Sequence, residues 1–246
     1  MTFSRVPMPR VEWEERSMRY ILAAFPLVGI VVAAFSALWV AFASFMGFGF
    51  LVVAAGLLAV PLIVTGGIHL DGYSDVCDAL SSHAEADRKC QILKDPHVGA
   101  FGVMAVGLYM VLYLAVCSDI PFTGAELLCL CATYPLERCL SGLLCLLNDK
   151  NSSDGMVSMF KRSASQRSCI VILMLQACVY AGVMMCADAV LGAVLVAVAV
   201  VCWFIVRRIA KRQFGGVNGD LAGFFLQVCE LAALMAILVV GKVVAL

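Results

Sequence analysis

Residues 66–102 read GGIHLDGYSDVCDALSSHAEADRKCQILKDPHVGAFG, a glycine-rich and acidic segment between two long apolar stretches. If the part from Asp71 onward is helical, Asp71, Asp75 and Asp78 fall within an arc of roughly 60°, because successive side chains turn by about 100°. Three carboxylates on one face suit a hard divalent cation such as Mg²⁺, whose other positions hold water and phosphate oxygens. A solvated helix face is the alternative, but such faces usually mix acids with bases. The first base after Asp71 is Arg88.

The composition outside this segment is typical of a membrane protein. Hydrophobic residues make up 63% of the chain and charged residues 14%, whereas soluble domains average roughly 45–50% and 25%. Apolar runs of about 20 residues can cross the hydrocarbon core of a bilayer. We therefore expect an all-α, polytopic integral membrane bundle forming one domain over residues 1–246, with about seven transmembrane helices. The expected spans are residues 20–42, 48–68, 99–117, 123–147, 169–186, 189–206 and 221–241.

The fifth and sixth spans are separated only by CADA at residues 186–189. They could form a tight hairpin or one long broken helix. The first span is longer than a typical signal-peptide core and follows a segment of mixed charge, so we do not expect it to be cleaved.

Lys and Arg are distributed unevenly among the connections. Fifteen of the 17 lie in residues 5–19, 88–94, 150–167 and 207–212. Seven spans would place all four segments on one side, which the positive-inside rule makes cytoplasmic. We therefore expect a multi-pass protein of the cytoplasmic (cell inner) membrane, with the N-terminus and the catalytic loops in the cytoplasm. Membrane lipid is an expected partner, and nucleic acid is not.

Cysteine and histidine, the other common metal ligands, give weaker indications of a metal site than the three aspartates do. The 12 cysteines contain no CxxC pair and several lie inside apolar runs, so we expect buried apolar residues and not a disulfide framework or a zinc site. All three histidines, His69, His83 and His97, lie in the 66–102 segment. Their spacing is not that of a metal motif, and loop or substrate contacts are the favoured interpretation.

The end of the acidic segment adds a base and two glycines. Lys94 could hold a phosphate, and Asp95 could complete the metal site or orient Lys94. The alternative is an ordinary ion pair that anchors the next span at the membrane interface. Gly99 and Gly102 would allow the backbone to approach an anionic ligand closely.

Charged residues also occur within or beside the later spans. Glu137 and Arg138 lie in the fourth span and Glu230 in the seventh, where charges normally face a protein interior, a cavity or each other. They could belong to a functional site, or they could be structural and lock helices together. GGVNGD at residues 215–220 could present backbone N–H groups to phosphate, although alone it would be an ordinary loop.

Taken together, these motifs resemble the cobalamin synthase family of adenosylcobinamide-GDP ribazoletransferases, which are membrane enzymes. The resemblance covers nearly the whole chain, and Asn218 stands where threonine is expected. It rests on SRVPMPR at residues 4–10, FPLVG at 25–29, GGIHLDGYSDVCDAL at 66–80, LKDPHVGAFGV at 93–103, and GGVNGD at 215–220 with Glu230 downstream.

The resemblance implies a Mg²⁺-dependent phosphotransferase. It would join adenosylcobinamide-GDP to α-ribazole or its 5′-phosphate, release GMP, and use one or two Mg²⁺ ions. Either Asp78 or Asp95 could be the general base. A homo-oligomer and contacts with other enzymes of the corrinoid pathway are further expectations. The implied catalytic residues are Asp71, Asp75, Asp78, Lys94 and Asp95, all but Lys94 as metal ligands, and the implied substrate contacts are His69, Gly72, Gly99, Arg138, Gly216, Asp220 and Glu230.

Two other classes of membrane protein fit the sequence less well. A CDP-alcohol phosphatidyltransferase, which makes phospholipid, should carry two further aspartates after a DGxxAR start, and DGYSDV at residues 71–76 lacks the arginine. A secondary transporter should have midplane carboxylates and inverted repeats. This chain instead concentrates its acids at the expected cytoplasmic edge.

Overall fold

The computed structural model describes residues 20–147 and 166–244. Within these ranges the regular secondary structure is entirely α-helical, which confirms the expected fold class. The motif SRVPMPR and the bases of residues 5–19 and 150–162 lie outside the described residues. The helices are α1 (Ile21–Phe45), α2 (Phe50–Thr65), α3 (Ile68–Ser81), α4 (Ala86–Ile92), α5 (Ala100–Ser118), α6 (Ala125–Leu146), α7 (Gln166–Ala187), α8 (Ala189–Gln213) and α9 (Gly219–Val244).

Six of these helices, α1 and α5 to α9, are long and apolar enough to cross a membrane. This agrees with a multi-pass membrane protein. The predicted second span, residues 48–68, is shorter than expected, because α2 has 16 residues and so rises only about 24 Å against a hydrocarbon core of about 30 Å. Counting α2 and α3 together as one bent span would give seven.

A pair of glycines separates α2 from α3. Gly66 has φ +70° and Gly67 has φ +78°, a left-handed conformation that glycine adopts without the strain of a side chain. The chain bends by 96° between the two helices. Helix α3 therefore turns away from the direction of α2 and lies outside the six spans.

The fifth and sixth spans form a hairpin. Asp188 is extended, and its Oδ1 accepts the N–H of Leu191 at 2.8 Å, which caps the start of α8. The two helices pack closely, because a Cβ at Gly192 would lie 2.6 Å from the carbonyl carbon of Met184. The one-residue break therefore joins two separate helices.

Contacts between distant helix ends define two ends of the bundle. At one end Lys242 forms a 2.9 Å ion pair with Asp119. At the other, Arg207 Nη2 donates to the carbonyl of Leu147 at 3.3 Å, and α3 packs against the start of α9. We call this second end the acidic end, because it carries the aspartates of α3. It also carries most of the described bases, namely Arg88, Lys89, Lys94, Arg167, Arg207, Arg208, Lys211 and Arg212.

Helix α6 forms the centre of the bundle and packs against α1, α7, α8 and α9. A Cβ at Gly29 would lie 2.6 Å from the Cα of Pro135, so α1 and α6 are in backbone contact. Cys129, Cys139 and Cys229 are buried among apolar side chains, as expected.

Candidate active site

Helix α3 presents its aspartates at the acidic end, and the predicted helix is confirmed. Its opposite side packs against α9 through glycines. A Cβ at Gly72 would lie 2.9 Å from the Cα of Asp220, and a Cβ at Gly223 would lie 3.1 Å from the Cα of His69. This close approach brings Asp220 to the carboxylates of α3. Gly72 is thus covered by the backbone of α9, and its predicted substrate contact stays a prediction.

Four carboxylates, those of Asp71, Asp75, Asp78 and Asp220, form what we call the acidic cluster. Burial and the like charges of Asp71, Asp220 and Asp78 raise the pKa of Asp75 to about 6. Within residues 20–147 and 166–244, none of the four forms an ion pair with a basic side chain. The cluster is therefore a concentration of negative charge that favours a cation.

Asp78 is turned towards the start of α5. Its Oδ1 accepts the N–H of Gly102 at 3.2 Å. A Cβ at Gly99 would overlap the same carboxylate. The close approach predicted at Gly99 and Gly102 is therefore made, in this structure, to the side chain of Asp78, at the positive end of the α5 dipole.

The donor chemistry of the cluster fits Mg²⁺, although a complete set of protein ligands is not assembled. In the part of the chain that the structure describes, no three His, Cys, Asp or Glu side chains are grouped to hold one metal ion. A protein usually binds Mg²⁺ through one or two carboxylates and leaves the other positions to water and substrate phosphate. Asp71, Asp75 and Asp220, which interact electrostatically with one another, are hard oxygen donors of the required kind.

Lys94 and Asp95 are exposed on the turn that leads to α5. Asp95 Oδ1 accepts hydrogen bonds from the backbone N–H of His97 at 3.0 Å and from its Nδ1 at 2.8 Å. These bonds, the side-chain one first, lower the pKa of Asp95. Among the described residues Lys94 and Asp95 form no ion pair with each other. The structure does not bring them into the acidic cluster, and their predicted roles stay predictions.

The charged residues of α6 and α9 lie inside the bundle. Arg138 Nη1 donates to Glu137 Oε1 and to the carbonyl of Tyr134, both at 2.8 Å. Tyr113 donates to Glu230 Oε1 at 3.1 Å. Glu137, Arg138 and Glu230 are almost completely buried. These contacts are the ones expected if the three residues are structural and hold helices together. The predicted substrate contacts of Arg138 and Glu230 stay untested.

His69 lies between this interior network and the acidic cluster. It is buried, and its ring meets that of Phe25 edge-on at 5.9 Å. The guanidinium carbon of Arg138 lies 6.0 Å from the centre of the same Phe25 ring. His69 is thus a packing residue in this structure, and its predicted substrate contact remains open.

The GGVNGD loop positions Asp220. Asn218 Oδ1 accepts the N–H of Leu221 at 2.9 Å and so caps α9, while its Nδ2 donates to Asp220 Oδ2 at 2.9 Å. Threonine caps helices in the same way, which explains how asparagine can stand in its place. The N–H of Gly216 donates to the carbonyl of Ala210 at 3.1 Å, so it closes the end of α8 instead of facing an open site.

Sequence reasoning missed one feature, a cleft of about 660 Å³ between the first turns of α3 and α5. Asp71 and Ser74 contribute its polar side chains, and Gly66 and Gly67 lie at its edge. The cleft exists because the chain bends at these glycines and because Gly102 allows α5 to approach Ser74. The two adjacent glycines in the sequence indicate a bend, but the sequence does not show that the start of α5 would lie opposite the bend and form a cleft with it.

Comparison with known proteins identifies the family. Residues 1–238 match the family model described as cobalamin-5-phosphate synthase. The chain belongs to this family. Proteins named adenosylcobinamide-GDP ribazoletransferase are 34% identical in Lachnoclostridium phytofermentans (98% of this chain and 92% of the relative) and 30% identical in a strain of Escherichia coli (96% and 95%). One from Clostridium perfringens is 27% identical (95% and 92%). No solved structure matches the chain.

The cobalamin-5-phosphate synthase match spans every element of the acidic end. It includes α3, the start of α5 and the loop before α9. Membership in this family confirms the resemblance inferred from the motifs. The relatives are named as adenosylcobinamide-GDP ribazoletransferases, so neither the phosphatidyltransferase nor the transporter alternative is favoured.

Proposed function

We propose that this protein joins α-ribazole or its 5′-phosphate to adenosylcobinamide-GDP and releases GMP, which assembles the nucleotide loop of cobalamin. Family membership and the names of the relatives support this assignment. The structural observation that carries it is the acidic cluster, where α3 and α9 bring four carboxylates together without a basic partner among the described residues.

The reaction is a substitution at phosphorus. A ribose hydroxyl oxygen of the ribazole moiety forms a bond to the phosphorus attached to cobinamide. The bond from that phosphorus to the bridging oxygen breaks, and this oxygen leaves with GMP. The hydroxyl proton passes to a carboxylate of the cluster, and Asp78 is a candidate because its Oδ2 is not needed for the hydrogen bond to Gly102.

One or two of the carboxylates of Asp71, Asp75 and Asp220 would hold Mg²⁺, and water and substrate phosphate would take its other positions. A bound Mg²⁺ would neutralise the diphosphate and the charge that develops on the leaving phosphate. Asn218 would keep Asp220 in position through its 2.9 Å hydrogen bond. The glycine contacts of Gly72 and Gly223 would fix α9 against α3, so that the carboxylates of the two helices remain together.

We further propose that the acidic end faces the cytoplasm, where nucleotide substrates are available. The support is the charge distribution: eight described bases lie at this end, and the described residues of the other end carry Lys242. Such an excess of Lys and Arg is typical of cytoplasmic loops.

The test is release of GMP by purified protein in lipid nanodiscs, given adenosylcobinamide-GDP, α-ribazole 5′-phosphate and Mg²⁺. We expect turnover that requires the metal and falls by about a hundredfold or more in Asp75→Asn. Asp87→Asn is the matched control, because Asp87 is an exposed aspartate at the same end. Folded wild-type protein that releases no GMP would overturn the assignment.

A further inference from the structure

The cleft between α3 and α5 adjoins the acidic cluster. Its lining is mostly apolar, whereas the cluster consists of carboxylates. Its polar side chains, Asp71 and Ser74, lie along α3. The facing wall comes from Val98, Val103 and Val106. A ligand in this cleft would therefore have one end at a carboxylate of the cluster and the rest among apolar side chains.

We propose that this cleft is the subsite for the base of the ribazole substrate, and the proposal rests on the function proposed above. The base of α-ribazole is a flat dimethylated benzimidazole whose carbocyclic edge is apolar. Seated against Val103 and Val106, it would leave its ribose beside Asp71, at the border between the cleft and the acidic cluster where the substitution at phosphorus takes place. The two substrates would then meet at the acidic cluster from different sides.

The alternative occupant, the guanine of adenosylcobinamide-GDP, fits this wall less well. Guanine carries hydrogen-bond donors and acceptors around its edge. Buried against valines, these groups would lose water without gaining partners, which costs binding free energy. The corrinoid itself is too large for a cleft of about 660 Å³, whereas a nucleoside lies within the usual size of ligand pockets.

The edge of the cleft at Gly66 and Gly67 also suits a flat ring. A Cβ placed on Gly67 would have no heavy atom within 4 Å, so the space above this residue is open. Because Gly66 and Gly67 have no side chains, an aromatic ring could lie directly against the backbone of the bend.

The decisive experiment compares two valines on the same helix. Val103 lines the cleft and is 62% exposed; Val111 does not line it and is 64% exposed. We expect Val103→Trp to raise the KM for α-ribazole 5′-phosphate by about tenfold or more while the KM for adenosylcobinamide-GDP stays unchanged. Val111→Trp should change neither constant.

Other outcomes would overturn the subsite. A rise in the KM for adenosylcobinamide-GDP alone would assign the cleft to the guanosine half. If both KM values are unchanged in a folded Val103→Trp, the cleft binds neither substrate and is covered by lipid. Absence of wild-type turnover would instead contradict the proposed function.

A binding measurement covers the case in which Val103→Trp does not fold. Equilibrium dialysis of the wild-type protein with labelled α-ribazole, without the second substrate, should show binding that unlabelled 5,6-dimethylbenzimidazole displaces and guanosine does not. Displacement by guanosine would contradict the proposal.

Discussion

The backbone at Gly99 lies directly against a carboxylate of the acidic cluster, that of Asp78. A side chain there would overlap the carboxylate of Asp78, which can swing aside at little cost to stability. We therefore predict that Gly99→Ala lowers turnover by about tenfold or more and leaves the unfolding temperature nearly unchanged.

Gly107→Ala is the control for this prediction. Gly107 lies on α5, of which Gly99 is the N-cap, and a Cβ at Gly107 would have no heavy atom within 4 Å. Alanine in a helix interior stabilises by about 0.5–1 kcal/mol relative to glycine, so activity should be retained. GMP release and thermal unfolding in nanodiscs measure both quantities. Full activity in Gly99→Ala would show that the position of Asp78 is not important.

Asp75 sets the pH dependence expected of metal activation. Its pKa is raised to about 6, so below that pH the carboxyl is increasingly protonated. Because Mg²⁺ requires the ionised form, its apparent affinity should fall by up to about tenfold per pH unit below 6 and level off above it. Mg²⁺ titrations of GMP release between pH 5 and 7.5 measure this. A half-activating Mg²⁺ concentration that does not change with pH would contradict a role for Asp75 as ligand.

For individual residues, the sequence predicted the helix that presents Asp71, Asp75 and Asp78 better than it predicted the contacts of those residues. The helical spacing of Asp71, Asp75 and Asp78 could be seen directly. The sequence did not show that Gly99 would face Asp78 or that Gly72 would seat Asp220, because both contacts join segments remote in sequence. Asp95 is predicted either to complete the metal site or to orient Lys94, and the hydrogen bonds that the structure shows for it are local, to His97.

Among the elements, the bend between α2 and α3 decides where the acidic cluster lies. Gly67 has φ +78° and open space around its missing Cβ, so a substitution there tests backbone strain alone. We predict that Gly67→Ala lowers the free energy of unfolding by about 1–2 kcal/mol and reduces turnover.

Gly49 provides the matched control. It also has open space, but its φ of −70° is accessible to any residue. Gly49→Ala should therefore lower stability by less than Gly67→Ala does, since only the preference of the α2 N-cap for glycine is lost, and it should leave turnover unchanged. Denaturant titration of the three proteins in the same detergent measures the difference. Equal stability of Gly67→Ala and wild type would mean that the left-handed glycine is not required for the bend.

The bend also explains why one predicted span was wrong in length. The apolar run continues through Gly66 and Gly67 to Leu70, so hydropathy alone carried the second span to residue 68. The helix ends at Thr65 because the next residue, Gly66, adopts a left-handed backbone conformation. Hydropathy carries no information on backbone conformation. The hairpin at Asp188 could be predicted only as one of two alternatives, since a one-residue turn and a kink have nearly the same composition.

For the whole molecule, most of the described bases lie at the same end of the bundle as the acidic cluster. If that end is cytoplasmic, Asp87→Cys should be protected from a membrane-impermeant maleimide in right-side-out vesicles, and Thr123→Cys should react. Both residues are exposed, and they lie at opposite ends. The exposed Cys178 and Cys186 are replaced by serine in both variants to lower the background. The reverse labelling pattern would invert the proposed topology.

Two buried contacts of charged residues lie inside the bundle, one within α6 and one between α9 and α5. Arg138 pairs with Glu137 on α6, and Glu230 on α9 accepts from Tyr113 of α5, whose hydroxyl oxygen also lies 3.2 Å from the carbonyl of Leu57 on α2. Removing one partner of a buried ion pair costs about 3–5 kcal/mol, because the other charge is left without compensation. We therefore predict that Arg138→Gln is strongly destabilised, and that adding Glu137→Gln restores part of the loss.

The same pair of variants separates a structural role from a substrate contact. Because Arg138 is fully buried and its hydrogen bonds end within α6, we expect the folded double variant to retain its kcat and KM within about threefold per folded molecule. Thermal unfolding in nanodiscs gives the stabilities, and GMP release normalised to folded protein gives the kinetic constants. A folded double variant with turnover reduced by about a hundredfold would instead place Arg138 among the residues that bind substrate. The interior of the bundle would then have to open during the reaction, since no described contact of Arg138 leads to the acidic cluster except through the Phe25 ring and His69.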